Sequence, residues 1–217
     1  MIKNYLPIWD KLSKDEQTRL ANAAITVKQK KDTTVFASDF QCVGMLMVQT
    51  GTLRVYMMSD DGKEITLYRI SDGEICIMAA ACVLRSITFD VYIEAMTDCE
   101  FTKIPSDVVS DIMKNNVYME AFAYRLATER FSDVMWTMQQ ILFMSFDKRL
   151  AIFLLDETAS LGSDTIKMTH EQIAKLLGSA REVVSRMLKY FAEEGYVALS
   201  RGTVTITNKK ALRELTE

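Results

Sequence analysis

A single histidine, His170, stands among the 217 residues. Metal hydrolases, histidine-based triads and cupin-type metal sites need histidine in a core role, often several times over. Neither GxxxxGK(S/T) nor GxGxxG is present, so the phosphate-cradling loops of nucleotide hydrolases and dinucleotide enzymes are missing as well. An enzyme is not expected, and no metal site is assigned. Long apolar runs are also lacking, and no stretch reaches the length a membrane span requires. No signal-peptide pattern is found, so the expected location is the cytoplasm. A basic excess is absent too: the net charge is −3, which does not suit a nonspecific nucleic-acid binder. The charge is uneven, however. From Ser145 onward there are 11 basic and 10 acidic residues, and before it 15 and 19. Affinity for a polyanion would therefore come from a local patch near the C-terminus. The four cysteines, Cys42, Cys76, Cys82 and Cys99, read as thiols rather than a disulfide framework.

What is there centres on Thr169 to Phe191. Thr169 has Gln172 three residues on, and Ser179 has Glu182, so each half opens with the pattern of a capping box. Gly178 lies between the halves, where a chain leaving a helix favours a left-handed residue. Two short helices joined this way predict a helix-turn-helix. At 100° per residue, Arg181, Glu182, Ser185, Arg186 and Lys189 fall within an arc of about 140°. Val183, Val184, Met187, Leu188 and Phe191 take the opposite arc. Guanidinium can take a guanine edge in a bidentate pair, and carboxylate can accept from cytosine's amino group. An ordinary amphipathic surface helix would also show the Glu182–Arg186 pair, but not the doubled box and the glycine turn. With Thr169, His170 and Ser179 at the helix starts, these polar residues are the expected DNA-binding set. Farther on, β-rich runs at Tyr196–Leu199 and Val204–Thr207 flank Ser200-Arg201-Gly202-Thr203. That hairpin predicts a wing whose Arg201 meets a phosphate.

These residues also carry a resemblance. Arg181, Glu182, Val184, Ser185 and Arg186 match the pattern Arg-Glu-x-Val-Ser/Gly-Arg of the Crp/Fnr transcription regulators. The resemblance implies base contacts from the polar positions, a near-palindromic duplex DNA site with TGA-like half-sites, and RNA polymerase as a further partner. It extends over nearly the whole chain. The expected fold class is α+β: an N-terminal double-stranded β-helix (jelly roll), a long dimerisation helix and a C-terminal winged helix-turn-helix.

The rest of the chain fits that order. Residues 1 to about 26 read as a helical N-terminus, with a capping box at Ser13–Glu16. From Val27 to about Ile104 the period becomes two, with strand-like runs at Met45–Val48, Leu53–Met57, Ile65–Tyr68 and Val91–Ala95. Asp60-Asp61-Gly62-Lys63 is a hairpin signal, and the spacing suggests a barrel or jelly roll. Gly51, Gly62 and Gly73 resemble the family's turn glycines, whereas Asp32 departs from a position where the family often has glycine. Ser106 is placed to cap a short helix, and Asn115-Asn116 marks a break before a long one. There Tyr124, Ala127, Phe131, Val134, Met138 and Ile141 alternate by three and four, the seam of a homodimer. Met135, Trp136, Leu142 and Phe143 widen the stripe toward that of a core helix. Domains are expected at 1–116 (sensor), 117–144 (dimer helix and hinge) and 145–217 (DNA binding).

For the sensor, the resemblance implies a pocket at Gly73-Glu74 and Arg85-Ser86, with Ala79, Ala80, Ala81 and Cys82 between them. In that alignment Val134 and Met135 replace the hydroxyls that read an adenine amine. A small anionic or amphipathic effector is expected rather than cyclic AMP, though Arg85 also fits a structural arginine. With no cysteine before Cys42, an iron–sulfur cluster of the family's type is not expected. Cys76 and Cys82 read as buried thiols, or as a redox pair or other metal centre. The function expected is effector- or redox-controlled, sequence-specific DNA binding. The rival is a cyclic-nucleotide-type ligand module whose C-terminal domain docks protein.

Overall fold

A computed structural model describes residues 2–36, 44–77 and 91–217. The chain divides into two compact units, residues 1–58 with 67–135 and residues 59–66 with 136–217. Among the described residues, no helix is long and apolar enough to cross a membrane.

The first unit begins with two 3-10 turns, Ile2–Asn4 and Trp9–Lys11, and helix α1, Lys14–Ala23. The continuous helical N-terminus expected from sequence is thus broken into pieces, because the helix starts only where Ser13 supplies a cap. Ser13 accepts from the Glu16 N–H and the Glu16 carboxylate accepts from the Ser13 N–H, a complete capping box. Among the described residues eight strands follow: β1 Ile25–Gln29, β2 Thr34–Phe36, β3 Met45–Thr50, β4 Leu53–Met58, β5 Glu64–Ile70, β6 Ile75–Ile77, β7 Tyr92–Ala95 and β8 Cys99–Ile104. They form two four-stranded sheets, ordered β1-β8-β3-β6 and β2-β7-β4-β5.

Strand β3 shows why this is a layered core. Met45 and Met47 face a cluster containing Leu6, Leu20, Ile75, Ile77, Val109 and Phe122. Their neighbours Leu46 and Val48 join Leu53, Val55, Ile93 and Phe101. Alternate residues of one strand therefore enter two different cores, so β3 is apolar at successive positions. Asp32 sits at φ 62°, the one non-glycine residue in the left-handed region among those described. The departure noted in sequence thus falls where glycine would avoid a steric cost.

After β8 the chain forms helix α2, Ser106–Asn115, and helix α3, Val117–Phe143. Ser106 lies inside α2 and its side chain caps nothing; Pro105 precedes it with extended backbone and occupies the cap position. Asn116 opens α3 instead, its Oδ1 accepting from the N–H groups of Tyr118 and Met119.

The second unit contains α4 Phe146–Leu161, β9 Thr165–Ile166, α5 His170–Leu177, α6 Arg181–Glu193, β10 Val197–Ser200, β11 Thr203–Ile206 and α7 Lys209–Glu214. The strands pair as β10-β11-β9. Ser200 faces Thr203 across a two-residue loop, and Gly202 takes the positive φ that the loop needs. Asn208 caps α7 through the Ala211 N–H. Leu150, Leu154, Ile173, Val184, Leu188 and Phe191 meet in one core.

Candidate nucleic-acid interface

Helix α5 is fixed at its start and its end. Thr169 Oγ1 accepts from the Gln172 N–H, and Gln172 Oε1 accepts from the Thr169 N–H at 2.9 Å. At the other end Gly178 turns left-handed at φ 59°. The Gly178 N–H returns to the Lys175 carbonyl and the Ser179 N–H to Ala174, a Schellman closure. That closure overturns the second capping box: Ser179 belongs to the end of α5, Ala180 is the residue preceding α6, and no side chain caps α6. Ala180 therefore offers the start of α6 no side-chain acceptor, although its carbonyl accepts from the Val183 and Val184 N–H groups.

Arg149, on α4, was not singled out by sequence. It donates from Nη2 to the Leu177 carbonyl at the end of α5, and its burial pushes the guanidinium pKa down. Its role is visible only once α4 and α5 are packed, so no motif signals it.

On α6 the expected separation is present. Val184, Leu188 and Phe191 are buried, whereas Arg181, Glu182, Arg186 and Lys189 are exposed. Lys189 makes an ion pair with Glu193 at 3.7 Å. Ser185 is half-buried and its Oγ lies 2.8 Å from His170 Nδ1. Arg201 is exposed at the tip of the β10–β11 hairpin. The polar groups thus occupy one surface of α6, the apolar groups the other.

The sensor residues divide differently. Ala79, Ala80, Ala81, Cys82, Arg85 and Ser86 lie outside the described residues, as does Cys42. Gly73 takes φ 83°. Glu74 is not a free carboxylate: one oxygen accepts from the Ser71 N–H at 2.7 Å, and the other is 3.6 Å from Arg130. Arg130, on α3, is a cation that sequence reasoning missed. It pairs with Asp133 at 2.9 Å and lies 5.0 Å from the Tyr68 ring. Its spacing among apolar residues hid it, since i,i+3 pairs such as Arg130–Asp133 are ordinary on helix surfaces. Tyr68 approaches the buried Cys76 thiol at 3.9 Å, and burial drives the Tyr68 phenol pKa well upward. Among the described residues, the buried Arg130 Nε has no hydrogen-bond partner.

The expected seam residues differ in exposure. Tyr124, Phe131 and Met138 are exposed along α3, as expected of one half of it. Ala127 instead packs against the core of the first unit, while Val134 and Ile141 are half-buried. Met135 and Leu142 are exposed. The exposed apolar residues along this part of α3 are Tyr124, Phe131, Met135, Trp136, Met138, Leu142 and Phe143, a stripe broader than the expected seam. Among the described residues, no three His, Cys, Asp or Glu side chains gather to hold a metal ion.

Comparison with known proteins agrees with this geometry. The pattern of the cyclic nucleotide-binding domain matches residues 26–116, and that of the Crp-like helix-turn-helix domain matches residues 148–215. A solved structure from Eubacterium rectale, assigned to transcriptional regulators of the crp/fnr family, is 45% identical with a TM-score of 0.91. The match covers 98% of this chain and 99% of that one. The transcriptional regulator flp of Lacticaseibacillus casei is 28% identical over 214 residues, spanning 96% of this chain and 95% of its own length. The c-di-GMP responsive regulator CLP of Xanthomonas campestris shares the fold, with 19% identity, a TM-score of 0.75 and coverage of 89% and 99% of the two chains. The β-roll, the helix-turn-helix and the 45% identical neighbour together make this chain a member of the Crp/Fnr family of transcription regulators.

Proposed function

We propose that the chain acts as a homodimer that reads a near-palindromic duplex through α6. Arg181, Glu182, Ser185 and Arg186 address base edges, while Thr169, His170, Ser179, Lys189 and Arg201 serve the phosphate backbone or orient the readers. The observation carrying this reading is the split of α6, with Arg181, Glu182 and Arg186 exposed and Val184, Leu188 and Phe191 buried. A helix presenting such groups near its N-terminal end is what major-groove reading requires.

The seam on α3 would pair two such surfaces. A two-fold dimer repeats its reading helix, so its site repeats as half-sites about 34 Å apart. The corresponding domains are residues 1–116, 117–144 and 145–217. RNA polymerase is the partner such a DNA-bound regulator would act on, and the cytoplasm is where it would meet both.

The first unit supports an effector of anionic or amphipathic character. The buried Arg130 Nε, unpartnered among the described residues, offers a donor, and the Tyr68 ring beside it offers an apolar face. Arg85 and Ser86 remain the proposed partners from sequence, with Glu74 engaged by Arg130 until a ligand competes.

Selection of bound duplexes from a fully randomised pool tests the reading. It should enrich a two-fold symmetric sequence. If no sequence is enriched, and the protein instead captures nothing but protein partners, the docking alternative replaces it.

A further inference from the structure

We propose that His170 is a positioning residue for Ser185, making base preference at one operator position depend on pH. The inference rests on α6 reading DNA, and goes beyond it in naming how one reader is oriented. The chain's single imidazole opens α5, and its Nδ1 lies 2.8 Å from Ser185 Oγ on α6. Both side chains are half-buried, so this contact competes with water on few sides.

A hydroxyl has one proton to give and two lone pairs. When Nδ1 carries a lone pair, Ser185 donates its proton to the ring. Its outward side is then an acceptor, complementary to the amino group of cytosine. Protonation from solvent places N–H on both ring nitrogens, and Nδ1–H must then donate to Ser185 Oγ. The hydroxyl proton is released to point outward, where it suits thymine O4 or guanine O6. Imidazole is the side chain whose charge ordinarily changes between about pH 5 and 8. For the neutral Nε2–H tautomer, protonation would therefore exchange the face this contact presents to a base.

Arg181, Glu182 and Lys189 stand one turn either side of Ser185 on α6, Arg186 follows it directly, and Glu171 adjoins His170 on α5. From α4, the Arg149 guanidinium is engaged at the far end of α5, on the Leu177 carbonyl. Protonated His170 also attracts every phosphate, but that acts on all sequences alike and cancels in a ratio between two bases.

The test uses the full-length protein and the duplex selected from the randomised pool, with all four bases placed at each half-site position. Competition binding is run at pH 6 and pH 8. At one position per half-site, preference for thymine or guanine over cytosine should rise about three- to tenfold at pH 6, the worth of one neutral hydrogen bond. Ser185→Ala should abolish both that preference and its pH dependence. His170→Gln, which keeps a hydrogen-bonding side chain but does not titrate, should hold a preference that stays flat with pH. A wild-type preference unchanged by pH, or a pH shift surviving in Ser185→Ala, overturns the proposal while leaving DNA reading intact. Failure to select any sequence would overturn both.

Discussion

Replacing Phe131 by alanine tests the dimer seam at its most exposed central residue. Phe131 is 65% exposed in the single protomer although it lies mid-way along a 27-residue helix. A buried phenylalanine hides about 150–250 Å², so a seam would remove roughly 130 Å² of additional surface from water. At about 25 cal/mol per Å² that is about 3 kcal/mol for each side chain. A two-fold interface presents the residue twice, and alanine keeps about a third of each contribution. The dimer should therefore lose about 4 kcal/mol, a roughly thousandfold rise in its dissociation constant. Sedimentation equilibrium from nanomolar to high micromolar protein measures this directly. Glu129→Ala, on another side of α3, should leave the constant unchanged. If Phe131→Ala dimerises as tightly as wild type, the exposed stripe is not the seam.

Three other perturbations address local structure. Gly44→Ala should destabilise the first unit by more than about 3 kcal/mol, because a Cβ there would lie 1.9 Å from the Ile104 carbonyl oxygen at φ +84°; urea unfolding reads it. Thr169→Ala should cost about 1 kcal/mol by losing a real cap, whereas Ser179→Ala should stay within about 0.5 kcal/mol, since Ser179 caps nothing. Equal losses would restore the capping role inferred from sequence. The Asp111 carboxyl is held below its usual value by the Arg19 hydrogen bond and then by its charge. Its contribution is therefore complete above about pH 4 and disappears as pH falls through the lowered folded-state value. Asp111→Ala should be less stable than wild type at neutral pH and converge with it near pH 2, measured by denaturant midpoints.

Local chemistry explains which features could be read in advance. The Ser13–Glu16 and Thr169–Gln172 boxes and the left-handed Gly178 depend on neighbours in sequence, so they were legible. Ser179–Glu182 carries the same pattern yet does not form, because the closure of α5 uses Ser179 first. Strand β9 has two residues and exists through its pairing with β11, too little to leave a periodic signal. Arg130 and Arg149 gain their surroundings from distant segments: Glu74 and Tyr68 for one, Leu177 for the other. The apolar stripe of α3 was half-legible for the same reason. Apolar spacing identifies a stripe but not which edge the β-roll consumes, and Ala127 went to the roll.

The most direct test of the account compares Arg186→Ala with Arg201→Ala on the selected duplex and on a scrambled one. Arg186 lies among the exposed polar residues of α6, and Arg201 at the wing tip. Loss of a base reader should cost about 1–3 kcal/mol on the matched duplex and little on the scrambled one, narrowing the specificity ratio. Loss of a phosphate contact should weaken both alike and reduce the salt slope by about one. Arg186→Ala weakening matched and scrambled DNA equally would contradict the claim that α6 reads sequence.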